Sequence, residues 1–244
     1  PVEYAYKAQR KVRKVYIWRK KEVETTPAKK GWFIFPFLIF QAIGLYILPF
    51  ENQQDLFMVL HSINHPIADH VFKILTHVAE WYGWVGVTLI ALIIRVRWAF
   101  FSAFALTVSG LVSQFLKRYV FADHMRPSHF FSPDQMNVIE GVELHSKFSF
   151  PSGHTTGAFV IFLILTMLLP KRWRFVGFFY FIAAVAVGYS RIYLGQHFPI
   201  DVLAGSALGV ICGLLVYWPI NAFFNKQAYP WAEKSLVGLF TPLG

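Results

Sequence analysis

Six apolar runs punctuate the chain, near residues 32–50, 82–98, 99–116, 154–170, 173–190 and 200–222. Each approaches the roughly 20 residues that an α-helix needs to cross about 30 Å of hydrocarbon. The second and third runs are divided only around Arg95 and Arg97, and the fourth and fifth by the basic turn PKRWR at 170–174. Breaks this short and this charged predict helical hairpins that turn at an interface. Residues 51–80 are too polar to span, yet Leu, Ile, Val and Phe recur there at helical spacing, so the stretch is expected to lie in the interface. The longest break, 117–153, carries Pro127, Ser128, Pro133, Asp134 and Asn137 and is expected to fold over one face of the bundle. The pattern predicts an all-α integral membrane bundle of six transmembrane helices at 32–222. A segment 1–31 precedes it and a tail 223–244 follows.

Composition strengthens this picture. Hydrophobic residues make up 56% of the 244 and charged residues 15%, against about 25% charged in soluble domains. Mean hydropathy is +0.46. The net charge of +10 first raises nucleic acid as a partner, but its distribution argues against one. Residues 1–30 hold ten Lys or Arg against three Glu, which accounts for seven of the ten net charges. A basic segment beside an apolar run is expected to be an anchor facing anionic lipid. Six spans put both termini on one side. That side collects 17 of the 23 Lys and Arg and the other only 6. The positive-inside rule then predicts cytoplasmic termini and an extracytoplasmic loop 117–153; a bacterial inner membrane, and hence a periplasmic face, is the expected setting. The lone Cys212 rules out a disulfide within the chain.

Three stretches carry chemistry, and the span count brings them to the same membrane face. In KRYVFADHMRP, Lys117 ends the third run, and Arg118 and Arg126 follow. In FPSGHTTGAF, Pro151, Ser152, Gly153 and His154 open the fourth run. A helix N-terminus has free N–H groups and a partial positive charge, so it suits an anion. Ser152 also fits an ordinary N-cap. A histidine at the mouth of a membrane helix is costly unless partnered. In SRIYLGQHFPID, Arg191 is followed by His197 and Asp201. His197 and Asp201 stand one helical turn apart, close enough for the carboxylate to hold one ring nitrogen and leave the other free. Three cations around a backbone anion hole match the charge that spreads over a transferring phosphoryl group.

This constellation resembles the type 2 phosphatidic acid phosphatase family, the lipid phosphate phosphatases. Its pattern is Lys, then Arg-Pro; Pro-Ser-Gly-His; and Ser-Arg, five residues, His, three residues, Asp. The second and third parts match at Pro151–His154 and at Ser190, Arg191, His197 and Asp201. The first departs, because eight residues rather than six separate Lys117 from Arg126, which makes Arg118 a second candidate. The resemblance implies a metal-independent membrane hydrolase with no cofactor. Its substrate would be a lipid phosphate or diphosphate such as phosphatidate, phosphatidylglycerophosphate, undecaprenyl diphosphate or a lipid A phosphate. It implies that His197 attacks phosphorus, Asp201 orients it and His154 protonates the leaving oxygen. Lys117, Arg126, Arg191, Ser152 and Gly153 would hold the phosphate. An anion transporter or channel, or a phosphotransferase to another lipid, uses the same residue types.

The other histidines read differently. His61 and His65 have a spacing compatible with zinc on a helix, but they also suit an interfacial helix. His124, His129 and His145, in the loop over the site, are expected to be solvated, with contact to a substrate headgroup as the alternative. Trp81, Trp84 and Trp98 are expected to anchor the interface rather than to stack on substrate.

Overall fold

The computed structural model describes residues 26–227 and 229–236; the basic segment 1–25 and the end of the tail lie outside the described residues. Among those described there is no strand, and eight helices of nine or more residues follow one another: α1 (Thr26–Ile47), α2 (Gln53–His61), α3 (Pro66–Thr76), α4 (Trp81–Ile94), α5 (Val96–Phe115), α6 (Gly153–Leu168), α7 (Val176–Tyr193) and α8 (Pro199–Gln227). All six apolar runs are helical, and the polar stretch 51–80 forms α2 and α3.

Length and apolarity alone qualify α1, α5, α7 and α8 as membrane spans. α4 qualifies only when joined to α3, across a 59° bend, and α6 is apolar but has 16 residues. Two boundaries differ from the expected runs for local reasons. Arg95 adopts an extended φ of −162°, so α4 stops at Ile94 and Val96 begins α5. α8 passes Pro219 without breaking and reaches Gln227.

The bundle is built around α6, which packs on α1, α4, α5, α7 and α8. Phe159, Leu163 and Ile164 of α6 are fully buried against Phe33, Phe101 and Phe181. Outward faces are apolar instead: Phe35, Leu45, Leu111, Phe179, Leu215 and Trp218 are all exposed. Large apolar side chains both inside and outside mark a protein whose solvent is lipid, where helices satisfy their backbone groups within the segment.

The α6–α8 contact is close because α8 presents glycine where the helices cross. A Cβ at Gly205 would stand 2.5 Å from the Ser152 carbonyl oxygen, and one at Gly209 would stand 2.5 Å from that of Thr156. Small residues one turn apart let membrane helices touch backbone to backbone. At this crossing the Ser152 N–H donates to the Asp201 carbonyl at 3.0 Å.

The start of α1, the α4–α5 turn and the end of α8 share one end of the bundle. The Lys30 ammonium lies 3.9 Å over the Tyr217 ring, and Glu233 pairs with Arg95 at 3.2 Å and Arg97 at 2.5 Å. Asp201 precedes Tyr217 on α8 by 16 residues, or about 24 Å of helix. The three chemical stretches therefore meet at the opposite end.

Candidate active site

The spacing from Arg191 to His197 is a helix C-cap. Gly195 has φ +70°, a left-handed conformation that favours glycine. The Gln196 N–H returns to the Arg191 carbonyl at 2.8 Å and the Gly195 N–H to that of Ile192 at 3.0 Å, the paired bonds of a Schellman turn. The His197 N–H also reaches the Arg191 carbonyl, at 3.2 Å. Arg191 and His197 are thus fixed relative to each other by backbone. α8 then begins at Pro199, a residue suited to a first helical turn.

Asp201 is buried, and its Oδ2 gathers three partners. The Phe198 N–H donates at 2.9 Å, His197 Nδ1 lies at 3.3 Å, and the Ser149 hydroxyl donates as well. A carboxylate beside Nδ1 makes that nitrogen the N–H donor and leaves Nε2 with a free lone pair. His197 is only 1% exposed. Burial, reinforced by Lys117, Arg126 and Arg191, holds its imidazole well below the ordinary range. The ring is therefore neutral, which is the nucleophilic form.

Gly153 and His154 open α6. Ser152 caps the helix, its Oγ accepting from the Thr155 N–H at 3.4 Å and from the Thr155 hydroxyl at 2.8 Å. Lys117 sits on a π turn, Leu116–Val120, closed by the Phe121 N–H on the Leu116 carbonyl. A π turn absorbs an extra residue. Here it directs Lys117 inward, 5% exposed, while Arg118 stays exposed. Arg126 is held by its Nε on the Lys147 carbonyl at 3.0 Å and its Nη1 on Gln196 Oε1 at 2.9 Å. Arg191 Nη1 donates to Thr76 Oγ1 at 2.6 Å.

These side chains enclose a cavity of about 700 Å³ lined by Lys117, Arg126, Gly153, His154, Arg191 and His197. Ser152 and Pro151 are buried beneath it and do not line it. Ser190 is also buried, and its hydroxyl donates to the Val187 carbonyl at 2.6 Å. Arg118 instead lines an adjoining cavity of about 560 Å³ with Ser146 and Lys147, which shares Lys117, Arg126 and His145 with the first. Arg191 Nε, Ser113 Oγ and Trp84 Nε1 are buried with no hydrogen-bond partner among the described residues, and all three residues line the larger cavity. Such donors favour an anionic or hydroxyl-bearing occupant.

A sequence model of the PAP2 superfamily matches residues 98–224, more than half of the chain. The chain belongs to the PAP2 superfamily. Over 184 residues it is 33% identical to a lipid A 4'-phosphatase of Porphyromonas gingivalis, covering 70% of this chain and 73% of that one. It is 30% identical to an undecaprenyl-diphosphatase of Sulfolobus acidocaldarius, covering 74% and 87%. The crystal structure of a transmembrane PAP2-type phosphatidylglycerolphosphate phosphatase from Bacillus subtilis superposes with a TM-score of 0.53 at 26% identity, covering 81% of this chain and 96% of that one.

Several residues of this PAP2 chain surround the cavity without having been singled out in the sequence. Ser149 supports Asp201, and Thr76 holds Arg191. Glu80, at the bend between α3 and α4, is a carboxylate in a set where Asp201 alone was expected; its Oε1 lies 3.8 Å from His154 Nε2. Trp84 lines the cavity, and half-buried Trp98 stacks on Tyr217 at the margin of the core. Of these three tryptophans, Trp81 is the exposed one, at 72%. His61 is a packing residue, 1% exposed, whose Nδ1 donates to the Ile192 carbonyl and whose Nε2 accepts from the Asn137 N–H. His65 caps α3 through Nδ1. Among the described residues no cluster of three or more His, Cys, Asp or Glu is arranged to hold a metal ion. His145 lines both cavities rather than being merely solvated.

Proposed function

We propose that this PAP2 protein hydrolyses a lipid phosphate or diphosphate by way of a phosphohistidine on His197. One observation carries the reading: a carboxylate-held imidazole with a free Nε2 lines the same cavity as three cations, a helix N-terminus and a second imidazole. His197 Nε2 attacks phosphorus while Asp201 keeps its Nδ1 protonated. Lys117, Arg126 and Arg191, with the N–H of Gly153, take the charge of the equatorial oxygens. Ser152 contributes by capping the helix whose N-terminus faces the phosphate. His154 protonates the leaving lipid oxygen and then accepts a proton from the incoming water. These roles need no metal and no cofactor.

The names of its relatives give the substrate class: a phosphate on lipid A, on undecaprenyl diphosphate or on phosphatidylglycerophosphate. Phosphatidate carries the same chemistry. The loop 117–153 supplies Gly141, Val142, Glu143 and His145 to the cavity wall and is the element that sets the choice. We place both termini in the cytoplasm, with α1 and α4–α8 spanning a bacterial inner membrane and the site facing the periplasm. The clustering of Lys30, Arg95 and Arg97 away from the site supports that orientation. Residues 32–222 would form the catalytic unit, between a basic anchor and a short tail.

The test is phosphate release by purified protein from a panel of lipid monophosphates and diphosphates, with and without EDTA. Acid quenching should trap an acid-labile phosphoenzyme in the unaltered protein. His197→Ala should abolish both release and trapping while ligand binding persists. Turnover by His197→Ala at the unaltered rate would remove the mechanism, and complete loss of activity in EDTA would require a metal.

A further inference from the structure

We propose that Glu80 is a positioning residue for the proton donor, holding His154 as Asp201 holds His197; the inference rests on the phosphatase reading above. Glu80 sits in extended conformation, φ −85° and ψ 176°, at the 59° bend where α3 gives way to α4. The bend is tightly built: a Cβ at Gly83 would stand 1.9 Å from the Val78 carbonyl oxygen, so only glycine fits there. The carboxylate thereby lines the cavity. His77 Nδ1 donates to Glu80 Oε1 at 2.8 Å, and the Tyr82 hydroxyl donates to the same carboxylate. That oxygen lies 3.8 Å from His154 Nε2, within about 1 Å of a hydrogen bond. Catalytic hydrogen bonds are often long before substrate binds and shorten in the complex.

The two imidazoles are used in complementary ways. Asp201 takes Nδ1 of His197 and leaves Nε2 for attack. Glu80 faces Nε2 of His154 and leaves Nδ1 for proton transfer. The need for a carboxylate here is electrostatic. The charged groups that share the cavity with His154 include Lys117, Arg126 and Arg191, and a cationic imidazole among three cations requires a counter-charge. In the first half-reaction His197 Nε2 bonds to phosphorus and the P–O bond to the lipid breaks with its electron pair on oxygen. The proton on His154 Nδ1 passes to that oxygen. In the second half a water oxygen bonds to phosphorus, its proton passes to His154 Nδ1, and the P–N pair returns to His197. Glu80 holds Nε2–H throughout and exchanges no proton.

The experiment compares two leaving groups. A lipid alkoxide leaves only if protonated, whereas p-nitrophenolate leaves without a proton. Glu80→Gln should lower the ratio of kcat/KM on a lipid phosphate to kcat/KM on p-nitrophenyl phosphate, a ratio that reports leaving-group departure and excludes the shared hydrolysis of the phosphoenzyme, by roughly 10- to 100-fold, a share of what a general acid supplies. Glu80→Asp should restore part of the ratio, and adding Glu80→Gln to His154→Asn should lower it no further. A merely structural lesion depresses both substrates together and leaves the ratio unmoved, which would overturn the proposal. If Glu80→Gln does not fold, the ratio is read in Glu80→Asp and in His77→Phe, which removes the bond that aims the carboxylate. Unaltered ratios in both would also overturn it. Failure of the unaltered protein to release phosphate from any substrate would instead sink the phosphatase reading itself.

Discussion

The site depends on how closely α6 approaches α8, and Gly205→Ala tests that dependence. The new Cβ would begin 2.5 Å from the Ser152 carbonyl oxygen, a backbone atom that cannot rotate away, and 3.2 Å from Thr155 Cβ. Relief to an ordinary contact near 3.4 Å requires the helices to part by about 0.9 Å at the crossing. The Ser152 N–H to Asp201 carbonyl bond would then stretch from 3.0 Å to about 3.9 Å, beyond hydrogen-bonding range. An unsatisfied buried N–H costs about 1–3 kcal/mol, and overpacking a tight contact costs about 1–3 kcal/mol more. Against these stands a gain of about 1 kcal/mol in helix propensity. The rate suffers more, because Ser152 adjoins Gly153 and His154 while Asp201 holds His197. A displacement near 1 Å between catalytic groups costs on the order of 100-fold. Gly86→Ala on α4 is the control, since a Cβ there meets nothing within 4 Å. In detergent, Gly205→Ala should melt several degrees below Gly86→Ala and turn over lipid phosphate about 100-fold more slowly. Equal melting and equal turnover in the two variants would refute the account of the crossing.

Other substitutions address single interactions. Ser149→Ala removes one of three partners of Asp201 Oδ2 and should cost about 1–2 kcal/mol, with kcat reduced but phosphoenzyme still trapped; unchanged melting would refute that role. Arg191→Lys cannot both reach Thr76 and keep a second donor in the cavity, so KM for lipid phosphate should rise about tenfold or more; an unaltered KM would mean the orphaned Nε has no anionic partner. Because His197 titrates well below its ordinary value through burial, the unfolded chain binds a proton there that the folded chain does not, over the interval below about pH 6.5. Stability should therefore fall as pH drops from 7 to 5, and His197→Asn should flatten part of that slope in thermal melts; parallel slopes would refute it.

What was legible in the sequence was local. The Arg191–His197 spacing is one Schellman turn, and His197 and Asp201 are one helical turn apart, so both survive as spacing in a linear chain. The cluster before α6 was legible because a helix start is also local. The apolar run 82–98 overshoots the helix end at Ile94, since hydropathy averages across Arg95 while backbone conformation does not. Ser149, Thr76 and Glu80 are not legible for a different reason. Their partners lie 52, 115 and 74 residues away, at Asp201, Arg191 and His154, and no periodicity links residues on separate helices.

Glu80 nevertheless carried a usable signal. It directly precedes the apolar run WYGWVGVTLIALII, as His154 precedes its own. An ionisable group at the mouth of an apolar helix faces a desolvation cost that a second polar group must offset. Two such groups, of opposite charge type and at the same end of the bundle by span count, are each other's most economical partners. Applied to pairs of helix mouths rather than to one motif at a time, that reasoning brings Glu80 to His154 before any coordinates are known. Among the described residues Lys117 and Arg126 form no direct ion pair with a carboxylate, and in this cavity such cations are what a phosphate requires.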